Sequence, residues 1–253
     1  MKELINILKN HIKDDFHFSG YLYIFIFTGL ALGFNYYLDF EHAYINQYFG
    51  EPEGILIYVL FYSFSYYGAA IPFLLIKKQA YKLKKIEFWV KSFAFISILG
   101  IMAGFYYYRN FAELFKENPF ERYYIIRLSV RIKHFIPYVI VLFIIKMIYD
   151  RNVAFFYGLR FGGISYKPFF ILLILIIPLV VFASFLESFQ DAYPQFPYWR
   201  FPEVFGLNKT KMMLIFESFY TVSFVSTELI FRGALVIAMI SVLGKESVIL
   251  MAT

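Results

Sequence analysis

Hydrophobic residues along this chain gather into long uncharged runs separated by short polar stretches. A helix rises 1.5 Å per residue, so a run of about 20 apolar residues crosses a hydrocarbon layer of ~30 Å. Runs of that kind predict spans at residues 21–38, 54–76, 88–108, 168–186 and 212–231. A sixth lies within a longer helix predicted over 119–149, roughly 46 Å at that rise, so its first turns must project beyond the bilayer. The pattern predicts an all-α fold: a polytopic transmembrane helical bundle of about six spans, forming one integral membrane domain over residues 1–253.

The two ends follow different rules. Leu4, Leu8, Ile12 and Phe16 recur every four residues, which predicts an amphipathic interfacial helix over 1–16 or a helix packed on its own domain. No apolar core of signal-peptide length follows the first lysine, so this segment reads as retained. Residues 233–243 are half of a crossing and predict a short or re-entrant helix before Gly244, Lys245 and Glu246. Residues 247–253 open another apolar run without flanking charge, which reads as the start of a further helix in a longer protein.

Local signals refine these elements. Pro72 lies near one end of the second span, where it should kink the helix and release a backbone carbonyl to a neighbouring group. Asn118, Pro119 and Glu121 match the N-cap, first and third positions of a helix, with Glu121 expected to reach back to the cap. Pro194, Pro197 and Pro202 among aromatics predict an ordered loop with little regular structure over 187–211. Gly162 and Gly163 read as a helix terminus.

Charge assigns sides. Asp39, Glu41, Glu51 and Glu53 follow the first span without a Lys or Arg, whereas Lys77, Lys78, Lys82, Lys84 and Lys85 follow the second. The positive-inside rule therefore places the N-terminus and the lysine loop in the cytoplasm, with Arg151, Arg160 and Lys167 on that side too. Arg122, Arg127, Arg131 and Lys133 fall on the opposite side by alternation, against the same rule; an interfacial placement of that helix or a miscounted span would explain them.

Composition narrows the classes. The chain is 60% hydrophobic and 17% charged, below the ~25% charge of soluble domains, and its abundant Tyr and Phe suit interfacial belts. It contains no cysteine, which excludes disulfides, thiolate nucleophiles and cysteine metal sites. The net charge of +6 fits an anionic membrane face, so the bilayer is the expected partner and nucleic acid is not. Neither a zincin, a serine-hydrolase elbow nor a phosphate loop is present, and no cofactor or metal is implied.

Polar residues inside spans carry what chemistry there is. Glu217, Thr221, Glu228 and Arg232 form a stripe on the span at 212–231 and its end: Glu217 and Glu228 are eleven residues apart, about 20° from alignment, and Glu228 and Arg232 are an i, i+4 pair. A carboxylate in hydrocarbon costs several kcal/mol unless paired or facing a wet cavity, so the stripe is expected to face the bundle interior. It is either a polar active site or an ion pair that pins helices together.

Thr227-Glu228-Leu229-Ile230-Phe231-Arg232-Gly233 resembles the first motif, E-E-x-x-x-R ending in Phe-Arg-Gly, of the CPBP intramembrane proteases, relatives of the type II CAAX prenyl endopeptidases. Tyr157-Gly158-Leu159-Arg160 and Ala192-Tyr193-Pro194 are similar to the approach to that motif in bacterial members, and the resemblance covers about residues 150–253. It implies an intramembrane endopeptidase of the bacterial inner membrane, acting on a membrane-associated peptide or protein. Its first glutamate, with histidines from two later helices, would activate water.

Thr227 occupies the first glutamate's place, and a threonine hydroxyl is not a base at neutral pH. Glu228 is then the candidate base and Arg232 its companion, with Glu217, Thr221 and Thr227 as a secondary stripe. His11, His17, His42 and His134 do not match the family's histidines by position and read as interfacial or packed. A non-catalytic scaffold or maturation partner on the same fold is the alternative; a third class is a proton- or cation-coupled transporter using Glu217 and Glu228.

Overall fold

The computed structural model describes residues 16–153, 155–159, 167–193 and 195–253. The amphipathic helix expected over 1–16, together with Arg160, Gly162, Gly163 and Pro194, lies almost wholly outside them. The described residues are all-α, without a strand. Their helices are α1 (Phe18–Leu38), α2 (Pro52–Ile76), α3 (Ile86–Gly104), α4 (Tyr108–Ala112), α5 (Pro119–Ile132), α6 (Phe135–Ile148), α7 (Lys167–Ala183), α8 (Glu187–Ala192), α9 (Lys209–Glu228), α10 (Ile240–Leu243) and α11 (Glu246–Met251). Among the described residues five helical runs are long and apolar enough to cross a membrane: α1, α2, α3, α5 with α6, and 209–243. This is a membrane protein. The apolar α7 has 17 residues, about 26 Å at 1.5 Å per residue.

Two compact units divide the chain. The first comprises residues up to Tyr107, Lys133–Gly158 and Val225–Thr253; the second comprises Tyr108–Ile132 and Leu159–Phe224.

In the first unit α2 and α3 pack through glycines. A Cβ on Gly100 would lie 2.6 Å from the Val59 Cα, and one on Gly104 2.9 Å from the Ile55 Cα. Gly100-Ile101-Met102-Ala103-Gly104 is a small-xxx-small stripe, which lets two backbones approach where lipid supplies no hydrophobic drive. Phe73, Leu74, Phe88, Phe95, Leu142 and Met239 fill the adjoining core. α1 buries only Gly20, and most of its side chains remain exposed, as suits a lipid-facing helix.

Pro72 releases a backbone carbonyl to a neighbouring group, as its position predicts. It has no N–H to offer the carbonyl four residues back, and that Gly68 carbonyl accepts the Tyr23 hydroxyl at 2.6 Å. The freed acceptor thus ties α1 to α2.

Several boundaries differ from the sequence pattern. The helix expected over 119–149 breaks at Lys133 and His134, because Pro137 cannot donate to the Lys133 carbonyl. Asn118 caps α5 through the Phe120 and Glu121 amides at 3.0 and 3.3 Å, but the Glu121 carboxylate accepts from the Phe205 amide at 3.1 Å instead of reaching back. The 187–211 loop contains α8 and a turn of 3₁₀ helix at Tyr198–Arg200. The short or re-entrant helix expected over 233–243 is instead a continuation: α9 passes into a π-helical stretch, Leu229–Ala238, and then α10. Wider π turns keep Leu229, Ile230, Ala234, Leu235 and Ala238 on the core side through ten residues.

The second unit is held by aromatic stacking. Tyr124, Phe196, Met212 and Phe216 are its buried centre, and the Tyr124 hydroxyl donates to the Met212 carbonyl at 2.8 Å. Here two of the cations that strained the positive-inside pattern find partners. Arg131 lies 4.7 Å from the Tyr220 ring centroid and donates to Gln195 at 2.9 Å, and Arg127 donates to the Tyr123 hydroxyl at 2.7 Å. A guanidinium is weakly hydrated and stacks on aromatic faces, so such a cluster tolerates it.

Candidate functional site

Glu228 is the last residue of α9 and Arg232 follows one turn later in the π-helical stretch. Their nearest charged atoms are 3.9 Å apart, and their side chains are 68% and 73% exposed. They face away from the core of their own unit, not into it. Burying Leu229, Ile230, Ala234 and Leu235 removes apolar atoms from their surroundings at no polar cost, whereas turning this carboxylate and guanidinium inward would demand full hydrogen-bonding. Thr227 is exposed beside them and Ser226 buried behind.

In the second unit's part of α9, Glu217 and Thr221 are exposed, and the Thr221 hydroxyl donates to the Glu217 carbonyl at 2.8 Å. That bond closes Thr221 onto its own helix. Among the described residues the histidines serve elsewhere: His17 caps α1 by accepting from the Gly20 amide at 3.2 Å, His42 meets Asp39 at 3.1 Å, and the His134 ring lies 5.7 Å from that of Tyr138. Among the described residues no group of three His, Asp or Glu side chains could hold a metal.

The buried charges lie at other positions. Lys91 of α3 has no exposed surface, and its ammonium touches Asp150 and Glu87 at 2.7 Å and the Ala238 carbonyl and Ser241 hydroxyl at 2.9 Å. Four acceptors surround three protons, so one proton is shared. The other Asp150 oxygen accepts from the Tyr157 hydroxyl at 2.8 Å, and Ser241 donates to Glu87 at 2.7 Å. Burial, then the Asp150 carboxylate beside it, pushes the Tyr157 phenol well above its ordinary range.

A second cluster centres on Glu246 at the start of α11. One of its oxygens accepts from Lys77 at 2.9 Å and Gln79 at 3.0 Å, and the other from Lys82 at 2.9 Å. Lys82 also donates to the Leu243 carbonyl at 2.5 Å. Burial raises the Glu246 carboxyl, but the donors from Lys77, Lys82 and Gln79 outweigh it and hold it at about 2.

Both clusters fasten the stretch after Arg232 to α2, α3 and the end of α6. Sequence reasoning passed over Lys91, one turn inside a predicted span, and Asp150, at the edge of another, where a charge can reach water. Lys77, Lys82 and Glu246 looked like parts of a solvated basic loop and a polar break. Only the isolation of Lys91 inside an apolar helix was a visible signal.

Chemically, the buried clusters are saturated: nearly every donor and acceptor is engaged. The Glu228–Arg232 pair is loosely engaged and open. No protein family, curated protein or solved structure matches this chain.

Proposed function

We propose that this chain is a CPBP-like intramembrane endopeptidase of the bacterial inner membrane, with its N-terminus cytoplasmic and Glu228 and Arg232 as its working pair. The observation that carries the reading is the open Glu228–Arg232 pair within the Thr227–Gly233 motif, 3.9 Å apart with both side chains exposed. Glu228 takes a proton from water, the water oxygen attacks the peptide carbonyl, and the Arg232 guanidinium stabilises the oxyanion. Collapse of that intermediate breaks the C–N bond, and the proton passes from Glu228 to the leaving amine.

A second reading, a non-catalytic scaffold or maturation partner, draws on Thr227 in the first glutamate's place and on the engagement of His17, His42 and His134 away from the pair. Transport through Glu217 and Glu228 is a third.

Glu228→Gln in proteoliposomes carrying quenched fluorescent membrane peptides separates them. The endopeptidase predicts a loss of cleavage of about 10²-fold or more at unchanged protein level. Unchanged cleavage overturns it; a change only in protein level supports the scaffold, and loss of pH-driven flux supports transport.

A further inference from the structure

An open groove of about 530 Å³ runs between α2 and α3, lined by Tyr67, Trp89, Val90, Phe93 and Ala94. Its walls are fixed. The Trp89 indole N–H donates to the Leu83 carbonyl at 2.8 Å, the Tyr67 hydroxyl bonds Ser92 at 2.9 Å, and the two rings lie 5.4 Å apart. Both polar handles are thus spent inside the chain, and the groove offers an occupant only carbon surface.

Charge gathers at one end of it. Lys85 is the extended N-cap residue of α3, four residues before Trp89, so it stands at the end of the helix from which the groove begins. Lys84 is beside it, and both are exposed. The neighbouring carboxylate of Glu87 is engaged by Lys91 and Ser241, while Glu246 is engaged by Lys77 and Lys82.

We propose that this groove binds an anionic glycerophospholipid, its acyl chain lying along Trp89, Val90 and Phe93 and its phosphate held by Lys84 and Lys85. A peptide in the groove would leave its backbone N–H and C=O groups without partners, whereas an acyl chain has none to lose. The lysines distinguish headgroups: a phosphate on a neutral or anionic headgroup meets two cations, and a choline group would be repelled.

The chain's two tryptophans, Trp89 and Trp199, make a direct readout available. With Trp199→Phe, emission comes from Trp89 alone. The full chain is titrated in detergent with dibromo-acyl phosphatidylglycerol or dibromo-acyl phosphatidylcholine, whose bromines quench an indole in contact. The site predicts quenching at a lower mole fraction of the glycerol lipid, with that preference falling roughly fivefold for each lysine removed in Lys84→Ala and Lys85→Ala.

Equal quenching by the two lipids, a preference that survives both substitutions, or no quenching of Trp89 by either lipid overturns the proposal. If the emission maximum without brominated lipid moves in the alanine variants, Lys84→Gln with Lys85→Gln provides the comparison. An intact preference there overturns the proposal as well.

Discussion

Lys91 and Asp150, 59 residues apart in sequence, meet at 2.7 Å with the ammonium fully buried and the carboxylate 5% exposed. Lys91→Met strands the Asp150 carboxylate with only the Tyr157 hydroxyl and should cost about 3–5 kcal/mol, whereas Asp150→Asn leaves the ammonium paired with Glu87 and should cost less. Lys91→Met combined with Asp150→Leu should cost much less than the sum. SDS titration in mixed micelles measures each corner of this cycle; additive losses would mean that the pair is not energetically coupled.

Tyr23 and Gly68 test the carbonyl that Pro72 releases. Tyr23→Phe leaves the Gly68 carbonyl, released by Pro72, without its donor, and about 1–3 kcal/mol should be lost. Pro72→Ala restores an N–H four residues on and should reduce the effect of Tyr23→Phe. The same unfolding titration reads both, and an unchanged effect in the Pro72→Ala background would count against the assignment.

Gly100 sets how closely α2 and α3 approach. A methyl there meets the Val59 backbone at 2.6 Å, so Gly100→Ala should cost about 1–3 kcal/mol and Gly100→Leu should abolish the folded monodisperse peak in size-exclusion chromatography. Gly29, which has open space at the corresponding position, is the control: Gly29→Ala should be tolerated.

Glu246 makes stability depend on acid. Its carboxyl lies at about 2 when folded, below its ordinary value near 4.5, so the contribution is complete above pH 4.5 and is lost as pH falls toward 2. The difference of about 2.5 units corresponds to on the order of 3 kcal/mol. Melting curves of the natural chain and Glu246→Gln should converge between pH 4.5 and 2, and parallel curves across that window would refute the coupling.

Orientation around Arg232 can be mapped by thiol labelling, since the chain has no cysteine of its own. Glu228→Cys and Arg232→Cys should react readily with a small membrane-permeant maleimide, and Ile230→Cys and Ala234→Cys should be protected. Protection of position 228 together with reactivity at 234 would reverse the face assigned here.

Much of the architecture is legible in residue order because the bilayer imposes length and polarity on each segment separately. The runs at 21–38 and 54–76 become α1 and α2 within a few residues. Pro72's released carbonyl and Asn118's cap follow from backbone chemistry alone. Boundaries are less legible where a helix may continue at little cost. Gly233, a plausible breaker in sequence, lies inside a continuous helical run, packed close to the Tyr157 carbonyl.

By itself the sequence determined that this is an all-α membrane protein with polar residues at Glu217, Thr221, Thr227, Glu228 and Arg232. Only the tertiary structure decided which charges are buried. Glu228 and Arg232 face outward, while Lys91, Asp150 and Glu246 lie inside, paired across as many as 169 residues of chain. Hydropathy measures the cost of a charge in lipid, one segment at a time, but a partner that offsets that cost comes from a distant segment. Its approach is fixed by packing, as at Gly100 and Val59, and no local pattern records it.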